Sequence, residues 1–257
     1  LISVCFGFGI FITGTSWVYV SIHEYGFIAM PFAFLATVLF CLFISILFSI
    51  PFVLLRFMPD KTSTYLIGLP SLLVLSEYFR LFAFSGFPWL FAGYSHTNTV
   101  LSGWATVGGV LIVSYICGFL ASFLSQIFRE KENLKPILKL NLVIIVTISG
   151  GYILQNIEWS KSTNEEIELA LIQPNINQAE KWSGAKRKEI LKQLKTQTLP
   201  YLNNDLIIWP EAALPSIPQN LPQFLEEIKD LSTTYKSKLV SGAITYEQET
   251  QKFFNSI

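Results

Sequence analysis

The sequence predicts a multi-span α-helical membrane bundle followed by the first part of an α/β domain. Three observations carry this. Of the 257 residues, 51% are hydrophobic and only 14% charged, where an ordinary soluble domain carries about 25%. The charge is unevenly spread: residues 1–155 hold 7 Lys/Arg and 5 Asp/Glu, while the remaining 102 residues hold 11 and 13. Finally, long apolar runs give way near Glu165 to short alternations of apolar and polar residues. The domains expected are therefore 1–155, a transmembrane domain of about five helices, and 156–257, an α/β domain.

Five runs approach the roughly 20 apolar residues that a membrane span needs: about Leu1–Ile22, Pro31–Phe57, Tyr65–Phe84, Gly103–Phe128 and Pro136–Leu154. The second is long enough to tilt, with Pro51 expected to kink it near one end. Small residues (Gly7, Gly9, Gly14, Gly108, Gly109, Gly150, Gly151) are expected where helices touch, since close backbone approach substitutes in lipid for a hydrophobic driving force. A large soluble core is the alternative, but five such stretches leave no polar faces to cover one.

Loop charge predicts the orientation. Arg56 and Lys61 fall between the second and third spans, and Arg129, Lys131, Lys135 and Lys139 between the fourth and fifth. Ser21–Met30 and Ser85–Val100 contain no Lys or Arg. Positive loops stay in the cytoplasm, so five spans put everything after about residue 155 on the outer side. Leu1 is not a start methionine and no charged segment precedes the first run, so a chain cut out of something longer is expected rather than a cleaved signal peptide.

Beyond Glu165 the pattern reads as strand Glu166–Gln173, helix Lys186–Leu199, strand Asp205–Trp209, helix Leu221–Tyr235, strand Lys238–Thr245 and the start of another strand at Lys252–Phe254. Alternating strands and helices imply a mostly parallel sheet covered by helices. Ligands of such sheets bind beyond the carboxyl ends of strands, which is where Glu211 falls.

Composition excludes several classes. A net charge of 0 and the lack of a basic stripe speak against nucleic acid as a partner, and the apolar content excludes disorder. Cys5, Cys41 and Cys117 all lie in apolar runs and form no disulfide framework. His23 and His96 lie far from any cysteine or carboxylate cluster, so no metal site is expected.

Glu211 sits in Ile207-Ile208-Trp209-Pro210-Glu211-Ala212-Ala213-Leu214-Pro215. Two prolines stiffen the turn, and apolar neighbours are expected to desolvate the carboxylate partly and suit it to general-base work. A solvated loop acid fits the same pattern. Glu77 and Arg80, at i and i+3 on the third run, can pair with each other or meet a lipid headgroup. Trp89, with Phe87, Phe91 and Tyr94, forms an aromatic loop that suits either an interfacial anchor or acyl-chain binding. Trp182 is expected in a loop before the first helix of the α/β domain, dipping into lipid, gating a site or simply packing. Lys181, Lys186, Arg187 and Lys188 form a basic patch fit for anionic headgroups or for solvent.

Trp-Pro-Glu after an apolar strand, preceded by Leu171-Ile172-Gln173-Pro174-Asn175 and Lys181-Trp182, resembles the start of a nitrilase-superfamily domain. Gly7-Phe8-Gly9, Trp17-Val18-Tyr19-Val20-Ser21-Ile22, Phe87-Pro88-Trp89-Leu90 and Gly93-Tyr94-Ser95 resemble one membrane-anchored branch of it, the apolipoprotein N-acyltransferases. The resemblance implies a nitrilase-like α-β-β-α sandwich on the periplasmic side of the bacterial inner membrane, from about residue 156 on.

It also implies a Glu–Lys–Cys triad in which Glu211 matches the glutamate, the lysine and cysteine being expected beyond Ile257 and the chain as given inactive alone. The implied reaction is acyl transfer from a phospholipid donor, through a cysteine thioester, to the α-amine of a diacylated apolipoprotein. Trp182, Trp89, Glu77 and Arg80 are the further substrate-binding candidates. No cofactor is implied, and a monomer in the lipid bilayer is expected. A membrane-tethered amidase of the same chemistry is the alternative. A transporter or scaffold would call for internal repeats, and none is found. An intramembrane hydrolase using Ser with His96 lacks the Gly-x-Ser-x-Gly elbow.

Overall fold

The computed structural model describes residues 1–129, 134–163 and 165–257, and the chain forms two compact units, Leu1–Ser160 and Lys161–Ile257. The first is helical: α1 (Ile2–Gly14), α2 (Val18–Tyr25), α3 (Met30–Ser49), α4 (Leu69–Phe82), α5 (Ala105–Arg129) and α6 (Leu134–Gln155). Three stretches among the described residues are long and apolar enough to cross a membrane: Met30–Phe57, Thr64–Ser85 and Val100–Gln126. Their outer faces bear exposed side chains such as Phe32, Phe34, Leu39 and Ile46. Apolar surface of that extent is stable in lipid rather than in water. This is a membrane protein.

The expected runs are not all straight, regular helices. The first run breaks after Gly14, and α1 and α2 meet at 63°, a broken span or a re-entrant turn. The physical reason is local. Gly14, Thr15 and Ser16 are poor helix formers, and the Thr15 hydroxyl, fully buried, bonds back to the Phe11 carbonyl at 2.6 Å. A hydropathy window measures composition and passes over such a break. The fifth run falls on α6 (Leu134–Gln155), 22 residues long, of which Asn141–Gln155 is an apolar helix. Lys131, assigned from the sequence to the loop before it, lies outside the described residues. Pro51 does end the regular part of the second run: α3 stops at Ser49 and continues as a 3-10 helix over Pro51–Phe57.

The bundle packs α1 against α3 through Phe11, Cys41, Ile44, Leu47 and Phe48, with Gly7 in contact with Ser45 and Phe48. A Cβ on Gly151 would stand 2.3 Å from the Val100 carbonyl oxygen, and one on Gly150 2.5 Å from the Trp104 ring, so both glycines do mark helix contacts. Gly9 differs, facing open space. Gly108 and Gly109 interrupt the helical path of α5 near its start.

The second unit has a parallel three-stranded sheet in the order β1 (Leu169–Leu171), β2 (Leu206–Trp209), β3 (Lys238–Ser241), so β2 is central. Helices α8 (Arg187–Thr198) and α9 (Pro222–Tyr235) connect these strands, after the short α7 (Gln178–Lys181). Ile190 and Leu194 of α8 and Ile228 of α9 pack with Ile207 and Trp209 of β2 into one core. The third predicted strand is in fact two. Gly242 divides it, and β4 (Ala243–Glu247) pairs antiparallel with β5 (Lys252–Ser256) as a separate hairpin.

Candidate active site

Glu211 lies two residues past the carboxyl end of central strand β2, at the edge where parallel sheets bind ligands. The strand alternates, burying Ile207 and Trp209, and the Trp209 indole donates to the Thr198 hydroxyl at 2.9 Å. Past the turn, Ala213 and Leu214 return to the core. The turn is thus pinned on both sides, and Ala212 between them holds the left-handed φ of 46°. A non-glycine residue in that region costs about 1–3 kcal/mol and persists only where its surroundings dictate it.

Two contacts made far along the chain complete the arrangement. Gly242 passes directly beneath the turn: a Cβ there would stand 2.8 Å from the Glu211 Cα, and the Gly242 carbonyl accepts from the Ala213 N–H at 3.1 Å. The side-chain amide of Asn255 on β5 donates to Oε1 of Glu211. A cleft of about 460 Å³ opens here, lined by Trp209, Glu211, Val240, Gly242 and Asn255 among others. The partial desolvation expected of Glu211 is not found, because its side chain is exposed. The apolar neighbours that were to cover it, Ile207 and Trp209, turn the other way into the core.

At the same edge, the segment after β1 carries Pro174, whose carbonyl accepts from Gln193 of α8 at 2.6 Å, and Asn175 with a φ of 51°. Trp182 follows α7 and is half-exposed, with the Lys181 ammonium 5.7 Å above its ring. Lys186 pairs with Glu189 at 3.1 Å, which raises its pKa, and Lys195 pairs with Glu227, so part of the basic face is internally compensated.

In the first unit, the structure brings Glu77, Arg80 and Trp89 together in an unexpected way. Both charged residues are buried, each 1% exposed. Among the described residues they form no ion pair with each other. Each instead holds the loop after α4: Arg80 Nη1 donates to the Trp89 carbonyl at 2.9 Å, and Glu77 Oε1 accepts from the Ala92 N–H at 2.7 Å. The Arg80 guanidinium sits 4.9 Å from the Phe11 ring centre and 5.1 Å from that of Phe91. Trp89 is half-exposed, stacked on Phe87 with centroids 5.1 Å apart and facing Trp17 at 6.0 Å.

Residues 1–123 match the family model described as apolipoprotein N-acyltransferase N-terminal domain. The chain is 34% identical over 98% of its length to the apolipoprotein N-acyltransferase of Coxiella burnetii, covering 52% of that protein. It is 31% identical over its full length to that of Vibrio cholerae, covering 50%, and 30% identical over 93% of its length to that of Pseudomonas syringae pv. tomato, covering 48%. The chain is similar to apolipoprotein N-acyltransferases over nearly its whole length. It spans about half the length of the curated relatives it matches.

Asn255 is the residue that sequence reasoning missed. The available signal was weak: an asparagine, a residue depleted in strands, following two phenylalanines at the end of a predicted strand. Nothing in that pattern names a partner 44 positions earlier. Among the described residues no group of His, Cys, Asp and Glu is placed to hold a metal ion. The cysteines lie on membrane helices, Cys5 on α1, Cys41 on α3 and Cys117 on α5.

Proposed function

We propose that this chain supplies the membrane bundle and the general base of an apolipoprotein N-acyltransferase. The observation that carries the reading is Glu211 itself: an exposed carboxylate on a doubly anchored turn at the sheet's carboxyl edge, with one oxygen held by Asn255. The similarity to apolipoprotein N-acyltransferases over nearly the whole chain supports it.

In the reaction, the unheld oxygen of Glu211 takes the proton from a cysteine thiol that the rest of the full-length protein contributes. The thiolate attacks an acyl ester carbonyl of a phospholipid. A lysine, also from the rest of the protein, stabilises the oxyanion. The lysophospholipid leaves, and the α-amine of the diacylglyceryl-cysteine of an apolipoprotein attacks the thioester, releasing the thiol and forming an amide. Both substrates keep their acyl chains in the bilayer, which gives a reason for fusing such a domain to a helical bundle. In this reading residues after about 155 form a nitrilase-like domain on the periplasmic side of the inner membrane, and Trp182 and Trp89 serve the lipid substrates.

Glu211→Gln in the full-length protein tests the assignment. The amide cannot accept the thiol proton, so N-acylation should fall by about 10²-fold or more while membrane insertion is unchanged. Undiminished acylation would remove Glu211 from its role.

A further inference from the structure

The loop between α4 and the 3-10 turn Ala92–His96 is built at unusual expense. Phe84, Ser85 and Leu90 hold left-handed φ angles of 53°, 75° and 59°. Gly86, at φ 89°, has no room for a Cβ, which would stand 2.2 Å from the Leu81 carbonyl oxygen. Backbone of this kind persists only where the surroundings dictate it. Here the surroundings are two buried charges on a membrane helix, themselves expensive and by default a sign of function. Arg80 takes the Trp89 carbonyl, Glu77 takes the Ala92 N–H, and the Phe87 N–H closes back on the Arg80 carbonyl at 2.7 Å. The guanidinium is shielded by Phe11, Phe48 and Phe91. What the loop displays is apolar and aromatic: Phe84, Trp89 and Leu90 are all exposed.

We propose that Glu77 and Arg80 are positioning residues that lock this loop into a platform for a phospholipid acyl chain, without touching the lipid themselves. The inference rests on the acyltransferase reading for the identity of the ligand. A backbone carbonyl and a backbone N–H three residues apart are each held by a charge-assisted hydrogen bond, the stronger kind. The loop therefore arrives pre-organised and loses little freedom when an acyl chain lies on it. The clamp should act on lipid affinity rather than on the chemical step.

The test uses the full-length protein in detergent, with two readouts: binding of a short-chain diether phospholipid, which cannot donate an acyl group, and the steady-state constants with an ester phospholipid. Glu77→Leu and Arg80→Gln should each weaken diether binding and raise KM by about tenfold, with kcat changed by less than about twofold. Glu77→Gln should restore affinity, since its amide oxygen still accepts from Ala92. Ala92→Pro deletes the N–H at a helix-starting position that tolerates proline, leaves both charges in place, and should raise KM likewise. It decides the matter if the other variants do not fold. A merely structural role would lower kcat with the folded fraction at constant KM. That result, or unchanged diether binding in folded variants, overturns the proposal. Should the wild-type protein bind the diether lipid but transfer no acyl chain to a lipoprotein, the acyltransferase reading fails, and the binding series still scores the clamp.

Discussion

The side-chain amide of Asn255, on the last strand of the chain, donates a hydrogen bond to Oε1 of Glu211, on the turn after the central strand. Under the proposed function, a carboxylate with one oxygen held and the other open is oriented for proton transfer, because only the open oxygen can approach an incoming thiol. The bond also shows how the β4–β5 hairpin, which is not part of the parallel sheet, reaches the site.

Replacing Asn255 by Leu should therefore cost activity without unfolding the unit. Loss of a hydrogen bond to a charged group is worth about 1.5–3 kcal/mol, or about 10- to 100-fold in kcat if it is realised at the transition state. Comparing kcat of Asn255→Leu with wild type in the full-length protein measures this. An effect confined to KM would contradict it.

Gly242 passes too close to the turn for any side chain. Gly242→Ala would force its Cβ to within 2.8 Å of the Glu211 Cα and within 3.0 Å of the Ala212 nitrogen, both backbone atoms that cannot step aside. Overpacking of this kind costs about 1–3 kcal/mol. The variant should lose thermal stability and acylation together, as read by melting of the purified protein and by an acylation assay.

The Trp209 indole N–H donates to the Thr198 hydroxyl, both groups being buried. Thr198→Val keeps the shape and leaves the indole N–H unsatisfied, at about 1–3 kcal/mol. Limited proteolysis of residues beyond Lys161 should become faster. Glu227→Gln is the matching control: its partner Lys195 is about one-third exposed, and such pairs are worth about 0–1 kcal/mol. Its proteolysis rate should hardly move.

Within the bundle, Gly151→Leu should be among the most damaging single changes. The backbone of α6 approaches Val100 so closely that even a Cβ would meet its carbonyl oxygen at 2.3 Å. Gly9→Leu is the contrast, since nothing lies within 4 Å of the added atom. Thermal stability in detergent should fall sharply for the first variant and stay near wild type for the second.

Much of this protein is determined by the sequence read alone. Apolar runs sufficient for a membrane bundle, the switch to strand–helix alternation, and a glutamate placed beyond the end of a buried strand are all local properties. Hydropathy, periodicity and turn chemistry report them directly. Tertiary structure decided the rest. Whether the run through Gly14 stays straight, whether Glu77 meets Arg80 or the loop beyond it, whether Glu211 is covered, and which residue holds it all depend on groups that are distant in sequence and adjacent in space. Spacing along a helix shows that Glu77 and Arg80 share a face. Only the folded chain shows that the strained backbone of Trp89–Ala92 reaches them, its part-buried carbonyl and N–H finding their partners there.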